Sequence, residues 1–238
     1  MESIDMAENI VELLTDVADA IRDKKGTQDK INAQNFAEEI KSLPSGGKAV
    51  LGGKLIDDSG KGVLNPLHIV VSDGITTIVA KAYYQTGLEN IELPNTINEI
   101  GASAFYQTQL SELNLPDAVG TVTSEIAQNC SQLVRVKLPN QAHTIGAYAF
   151  KNCTKLQELD IPNRMINLQQ QIANGCSSLK KVIVRATTPP TLGANAFANN
   201  ASDRLIYVPD DSLGAYKSAT NWSDYADAIR PLSELPNE

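Results

Sequence analysis

Leu88-Glu-Asn-Ile-Glu-Leu-Pro94, Leu110-Ser-Glu-Leu-Asn-Leu-Pro116, Leu133-Val-Arg-Val-Lys-Leu-Pro139 and Leu156-Gln-Glu-Leu-Asp-Ile-Pro162 share the form L-x-x-L-x-L-P, with Val or Ile admitted at the apolar places. The alternation along the last residues of each run is the period-two pattern of a short strand with one buried face. Proline then stops the strand, because it has no N–H to give to a ladder. The residues that close the runs, Val71, Leu93, Leu115, Leu138, Ile161, Val184 and Val208, recur at intervals of 22, 22, 23, 23, 23 and 24. Self-similarity at this period is the signature of a solenoid whose neighbouring coils bury one continuous core. The spacing predicts one parallel strand per coil over residues 67–209, joined by irregular return segments.

The return segments carry a second anchor: Ile100-Gly-Ala-Ser-Ala-Phe105, Ile145-Gly-Ala-Tyr-Ala-Phe150 and Leu192-Gly-Ala-Asn-Ala-Phe197, with a weaker version from Ile78 to Tyr83. The coils between them lack the glycine and replace Ala-Phe by Ile126-Ala127 and Ile172-Ala173. Large and small thus exchange places in alternate coils. A close-packed interior tolerates such swaps when total volume is kept.

The pattern L-x-x-L-x-L/I-P followed by I-G-x-x-A-F-x-x-C resembles the BspA-like leucine-rich repeat family, over about residues 67–209. The resemblance implies short strands on one side of each coil and loops or short helices on the other. It also implies a surface adhesin or interaction protein without an enzymatic site. The closing segment is similar to the C-terminal end of that family: Ala186-Thr-Thr-Pro-Pro190, Leu205-Ile-Tyr-Val-Pro209, then Ser212-Leu-Gly-Ala-Tyr-Lys-Ser-Ala-Thr-Asn-Trp222. Ser212 is expected to cap a short helix, and the single tryptophan, Trp222, is assigned to covering the last coil rather than to a ligand. The fold class expected is therefore α/β: an open leucine-rich-repeat solenoid (67–209) with a C-terminal cap (210–238).

The first 43 residues differ in kind. Ile10, Leu13, Leu14, Val17, Ala18 and Ile21 fall at helical spacing, and Phe36, Ile40 and Leu43 form a shorter second stripe, with a turn between them at Lys24 to Lys30. This predicts a small helical hairpin at 1–43, followed by a linker and N-terminal β cap at 44–66 that opens with Pro44-Ser-Gly-Gly47. The block Asp16 to Ile31, followed by Asn35-Phe-Ala-Glu-Glu-Ile40, is similar to a segment of tail- and baseplate-associated structural proteins of phages and prophages of Gram-positive bacteria. A hairpin that merely covers the solenoid's N-terminal end is the other reading. Ile10, Leu14, Val17 and Ile21 follow 4-3-4 steps, a candidate assembly face for a homo-oligomer or a tail. Helices this short are not stable alone in water, so the stripe needs a partner.

Composition narrows the partners. The chain has 238 residues, 42% of them apolar, enough for a sizeable core and an appendage. Residues 1–43 hold ten acidic and five basic side chains, which accounts for −5 of the chain's net −8. That sign disfavours nucleic acid or an anionic membrane. No run approaches the roughly 18 apolar residues of a membrane span. Met1-Glu-Ser-Ile-Asp5 lacks the basic start and apolar stretch of a secretory signal, so the expectation is synthesis in the cytoplasm and association with a virion. A cell-surface location follows instead if a leader has been removed. The expected partner is a protein or a cell-surface glycopolymer.

Catalytic, cofactor and metal chemistry is not expected. Cys130, Cys153 and Cys176 lie 23 apart, one per coil. An odd count with no Cys-x-x-Cys pair and no accompanying His argues against zinc or a disulfide, and buried Cys commonly serves as a small hydrophobe. The two histidines, His68 and His143, have no nucleophile placed beside them by a motif. Gly46-Gly-Lys48 and Gly52-Gly-Lys54 lack the Ser or Thr and the spaced first glycine of a phosphate loop. Asp57-Asp-Ser-Gly60 reads as a turn, since a calcium loop needs a later glutamate.

Aligning the coils gives two outward columns on the strands. One reads Val70, Glu92, Asn114, Lys137, Asp160, Ile183, Tyr207; its neighbour reads Asn90, Glu112, Arg135, Glu158, Lys181. The second predicts an alternating charge ladder, and the first puts Lys137 beside Asp160. Charges that neutralise one another make a weak electrostatic lure. The apolar ends of the first column, Val70, Ile183 and Tyr207, are accordingly the candidate ligand contacts.

The exchange of large and small residues makes a quantitative expectation. Ile126→Ala or Ile172→Ala should cost as much as truncating Phe105 or Phe150, roughly 2 to 5 kcal/mol each. Thermal unfolding of the four variants is the check, and isoleucine variants that melt with the parent would show the alternation to be accidental.

Overall fold

Short strands with their inward side chains on one core recur once per coil: Leu67–Val70, Leu88–Glu92, Glu112–Asn114, Arg135–Lys137, Glu158–Ile161, Lys181–Val184 and Leu205–Val208. They pair in parallel, with Glu112 opposite Arg135, Glu158 opposite Lys181 and Ile183 opposite Tyr207. A computed structural model describes residues 49–50, 67–71 and 73–236, all within one unit of the chain, 47–238. The helical stripes of 1–43, including Ile10, Leu14, Val17 and Ile21, and the glycine-lysine pairs and Asp57–Gly60 turn of the linker lie outside the described residues.

Each coil has more regular structure than the sequence pattern suggests. A second row of two-residue strands comprises Ala49–Val50, Thr77–Ile78, Glu99–Ile100, Thr121–Val122, Thr144–Ile145, Asn167–Leu168 and Thr191–Leu192. These pair in two parallel groups, the first ending at Glu99–Ile100 and the second beginning at Thr121–Val122. The expectation of one strand per coil is corrected accordingly. The signal was present in the β-branched or leucine residue before each glycine position, but two residues are too few for a period to register.

The return segment is not irregular either. Three alternate N–H groups in each coil donate to three carbonyls of the next: Ser103 to Ser124 (3.0 Å), Phe105 to Ile126 (2.8 Å) and Gln107 to Gln128 (2.8 Å), then Tyr148 to Gln170, Phe150 to Ile172 and Asn152 to Asn174. Reaching this geometry requires two left-handed residues per coil, four positions apart. They are Ser103 and Gln107, Glu125 and Asn129, Tyr148 and Asn152, and Gln171 and Gly175 in successive coils. Asn and Gly tolerate that region best, which accounts for the Asn or Gly that directly precedes every cysteine.

Register places the exchanged residues on one another. Tyr83, Phe105, Ala127, Phe150, Ala173 and Phe197 form one column, while Ala104, Ile126, Ala149, Ile172 and Ala196 form its neighbour, and all are buried. Where Phe lies over Ala in one column, Ile compensates in the other. Glycine enters for a different reason. A Cβ on Gly101, Gly146 or Gly193 would stand 2.2 to 2.4 Å from the backbone nitrogen of Ala80, Ser124 or Gln170 in the preceding coil. These glycines permit close approach of two backbones.

The C-terminal cap covers the last coil as expected. The helix Leu213–Ser218 brings Tyr216 inward, and Trp222 packs against Tyr216 (5.0 Å, edge-on) and Phe197 (6.1 Å). The Trp222 indole N–H donates to the Pro190 carbonyl at 2.8 Å, so its polar atom is satisfied as its ring is buried. Ser212 departs from the expectation: its hydroxyl donates to the Thr187 carbonyl (2.6 Å) instead of capping the helix. Among the described residues, no helix is long and apolar enough to cross a membrane.

The two classes of glycine can be told apart. Gly146→Ala should destabilise by about 1 to 3 kcal/mol or more, because backbone has to move. Gly120→Ala, whose Cβ would meet nothing within 4 Å, should stay within about 0.5 kcal/mol of the parent in denaturant unfolding.

Candidate functional site

Outward side chains of the front strands form the predicted charge ladder in part. Arg135 pairs with Glu112 (3.6 Å) and Lys181 with Glu158, while His68 lies 3.1 Å from Glu92 at the first strand. The expected Lys137–Asp160 neighbour pair gives way to two others. Arg185 takes both oxygens of Asp160 (2.7 to 3.1 Å), and Lys137 turns to Asp117 (3.6 Å). The fork of a guanidinium matches a carboxylate better than an ammonium does, and Asp160 holds the Arg185 group further above its usual range. Asp117 is held below the usual carboxylate range, first by the Asn140 N–H and further by Lys137.

The three candidate contacts separate. Val70 is 62% exposed, whereas Ile183 and Tyr207 are 3% and 5% exposed. Neither of the latter is available to a ligand. Lys181-Val-Ile-Val184 and Leu205-Ile-Tyr-Val208 are continuous apolar runs, the pattern of strands covered on both faces, unlike the alternating Glu112-Leu-Asn114. An added strand, Ile229–Pro231, pairs Arg230 with Tyr207, and the turn Leu232–Glu234 lies against the same strand. Both strands are buried at three successive residues, so outward register no longer means exposure there.

The cysteine column is structural and does more than fill space. Cys130, Cys153 and Cys176 are buried free thiols, and their Sγ atoms donate to the carbonyls of Phe105 (2.9 Å), Ala127 (3.2 Å) and Phe150 (3.1 Å) in the preceding coil. Thr108, in the same column one coil earlier, lies 3.2 Å from Cys130 Sγ. Burial pushes the Cys130 and Cys153 thiols up, which keeps them protonated donors and poor nucleophiles. Among the described residues, no group of three or more His, Cys, Asp or Glu side chains is placed to hold a metal ion.

Polar side chains on the turn side are stacked and mutually satisfied. Gln85 donates to Gln107 (3.1 Å), Asn152 to Asn129 (2.9 Å) and Asn129 to the Tyr106 hydroxyl (2.8 Å). The Tyr84 and Tyr106 rings stack at 4.7 Å, so their faces are turned to each other. An open depression of about 420 Å³ on the strand side is different. It is lined by Glu89, Asn90, Gln109, Ser111, Gln132, Val134 and Lys155. Sequence reading missed it, although the signal exists. The column Glu89, Ser111, Val134, Gln157, Lys180, fixed by coil-to-coil hydrogen bonds, is short-chained in two successive coils.

Six copies of the BspA type leucine-rich repeat match residues 76–203. The chain belongs to the BspA-type leucine-rich repeat family. A leucine-rich repeat protein from Bacteroides ovatus has a similar structure, with a TM-score of 0.53 and 25% identity, the alignment covering 69% of this chain and 42% of that one. The leucine-rich repeat protein of T. pallidum shares the fold at 17% identity and a TM-score of 0.52, over 66% of this chain and 78% of its own. This BspA-type chain thus spans under half the length of its Bacteroides ovatus neighbour. No curated protein matches it.

One buried group is poorly matched to its column. Tyr83 stacks on Phe105 (5.6 Å), and its hydroxyl has no hydrogen-bond partner among the described residues; burial raises its pKa to about 12. Above pH 10 the unfolded tyrosine ionises while the folded one stays protonated, so stability falls as pH climbs from about 10 toward 12. Tyr83→Phe, which restores the residue of Phe105 and Phe150, should be at least as stable at pH 7, by about 1 kcal/mol. Its advantage should widen between pH 9 and pH 11.5 in urea titrations. A constant difference across that range would contradict the assignment.

Proposed function

We propose that this protein is a non-enzymatic recognition protein that presents the outer surface of its repeat to a macromolecular ligand. The observation that supports this most directly is the open, polar depression crossing several coils, whereas amides on the turn side such as Gln85, Gln107, Asn129 and Asn152 are bonded to one another. Family membership points the same way, because repeats of this type serve chiefly as interaction surfaces. In this reading the solenoid is the recognition part and residues 1–43 are the attachment part. The resemblance of residues 16–40 to tail-associated proteins favours a phage or prophage tail accessory, with synthesis in the cytoplasm and release in the virion.

A BspA-like surface adhesin, or a protein-interaction scaffold, accounts for the repeat equally well and differs in where the protein resides. Peptide mass spectrometry on phage-like particles induced from the source strain, beside the envelope fraction, separates them. Peptides of this chain enriched with tail proteins are the expected result. Peptides confined to the envelope would replace the tail reading with the adhesin.

A further inference from the structure

The depression on the strand side has a floor, walls and unused hydrogen-bonding groups. Its floor is Ser111 and Val134, which stand where Glu89, Gln157 and Lys180 stand in the other coils. Its walls are Glu89, Asn90, Gln109, Gln132 and Lys155. Adjacent coils are spaced by about 4.8 Å, so the three intervals from the Glu89 coil to the Lys155 coil span about 14 Å. At the far wall Lys155 donates to Gln132 at 2.6 Å, which fixes both. The side chains of Glu89, Asn90, Gln109 and Ser111 have no hydrogen-bond partner among the described residues.

We infer that this depression binds a short stretch of neutral glycan lying along the solenoid axis, an assignment that rests on the recognition role proposed above. The lining carries one carboxylate and one ammonium, so it offers no net attraction to an anionic polymer. Its remaining polar groups are amides and a hydroxyl, which both donate and accept and so suit the hydroxyl and acetamido groups of a sugar chain. A peptide is a poorer fit on two counts. The N–H groups of Ser111, Val134 and Gln157 already donate to the preceding coil, so a peptide cannot add as a strand. Val134 is the only apolar side chain in the lining, which leaves no pocket for an anchor residue.

The test is a printed array of neutral oligosaccharides, anionic oligosaccharides and peptides, probed with the full chain. Two variants accompany it. Ser111→Gln with Val134→Gln fills the floor with the side chain that Gln157 already supplies one coil later, so the coil has a precedent for it. Asn90→Ala with Gln109→Ala removes wall groups that hold nothing else. The expected result is binding to neutral oligosaccharides that falls at least tenfold in both variants, with melting temperatures unchanged. Retention by the variants, or binding confined to anionic sugars or peptides, would overturn the assignment. Binding of the parent chain to intact cell envelopes is measured in parallel. Envelope binding that protease treatment abolishes, without any on the array, would defeat the glycan and leave recognition standing. No binding to either would take down both.

Discussion

Every inward position in this solenoid has to fit beneath the same position of the next coil, at a separation set by backbone hydrogen bonds. Three rows of such bonds link the coils: the front strands, the two-residue strands, whose row is interrupted between Ile100 and Thr121, and the alternate donors of the turn. With the spacing fixed by the backbone, side chains adjust in pairs of columns. The Phe105, Ala127, Phe150, Ala173, Phe197 column and its Ile126 and Ile172 neighbour keep total volume level while neither column is uniform. Gly101, Gly146 and Gly193 answer the same constraint where two backbones come closer than a Cβ permits.

Polar groups inside such a stack must be satisfied from the coil above or below. The cysteines and the cap's Trp222 do this by donating to carbonyls, while Thr108 donates to Phe105 of its own coil. This explains why a residue of small volume and weak donor strength recurs at one place. Tyr83 departs from this, as do the Thr123 hydroxyl and the Arg204 Nε: the Tyr83 hydroxyl brings a polar atom to a site that Phe fills elsewhere.

Much of this was legible in the residues. Period, the placement of the front strands and the core columns followed from spacing, because each coil must repeat the geometry of its neighbour and the sequence carries that repetition openly; the role of Trp222 came from the resemblance of the closing segment. The features that escaped are those in which coils differ. Ile183 and Tyr207 lie on strands whose alternation is lost near the cap, and the depression arises from two short side chains among long ones. Asp160 chose Arg185 over Lys137 because a planar fork fits a carboxylate, a preference that column order does not encode.

The last described coil shows how such a molecule acquires a definite length. Where Phe150 donates its N–H to the carbonyl of Ile172 one coil on, Phe197 donates its own to the Tyr225 hydroxyl at 3.2 Å. The ring of Tyr225 sits edge-on to Phe197, with the Arg204 guanidinium over it at 4.9 Å. A side-chain oxygen thus impersonates the backbone of a coil that does not exist. In polymer terms the cap is a chain terminator: it consumes a donor that would otherwise template another molecule's backbone, and so keeps a self-complementary stack from growing into a fibre.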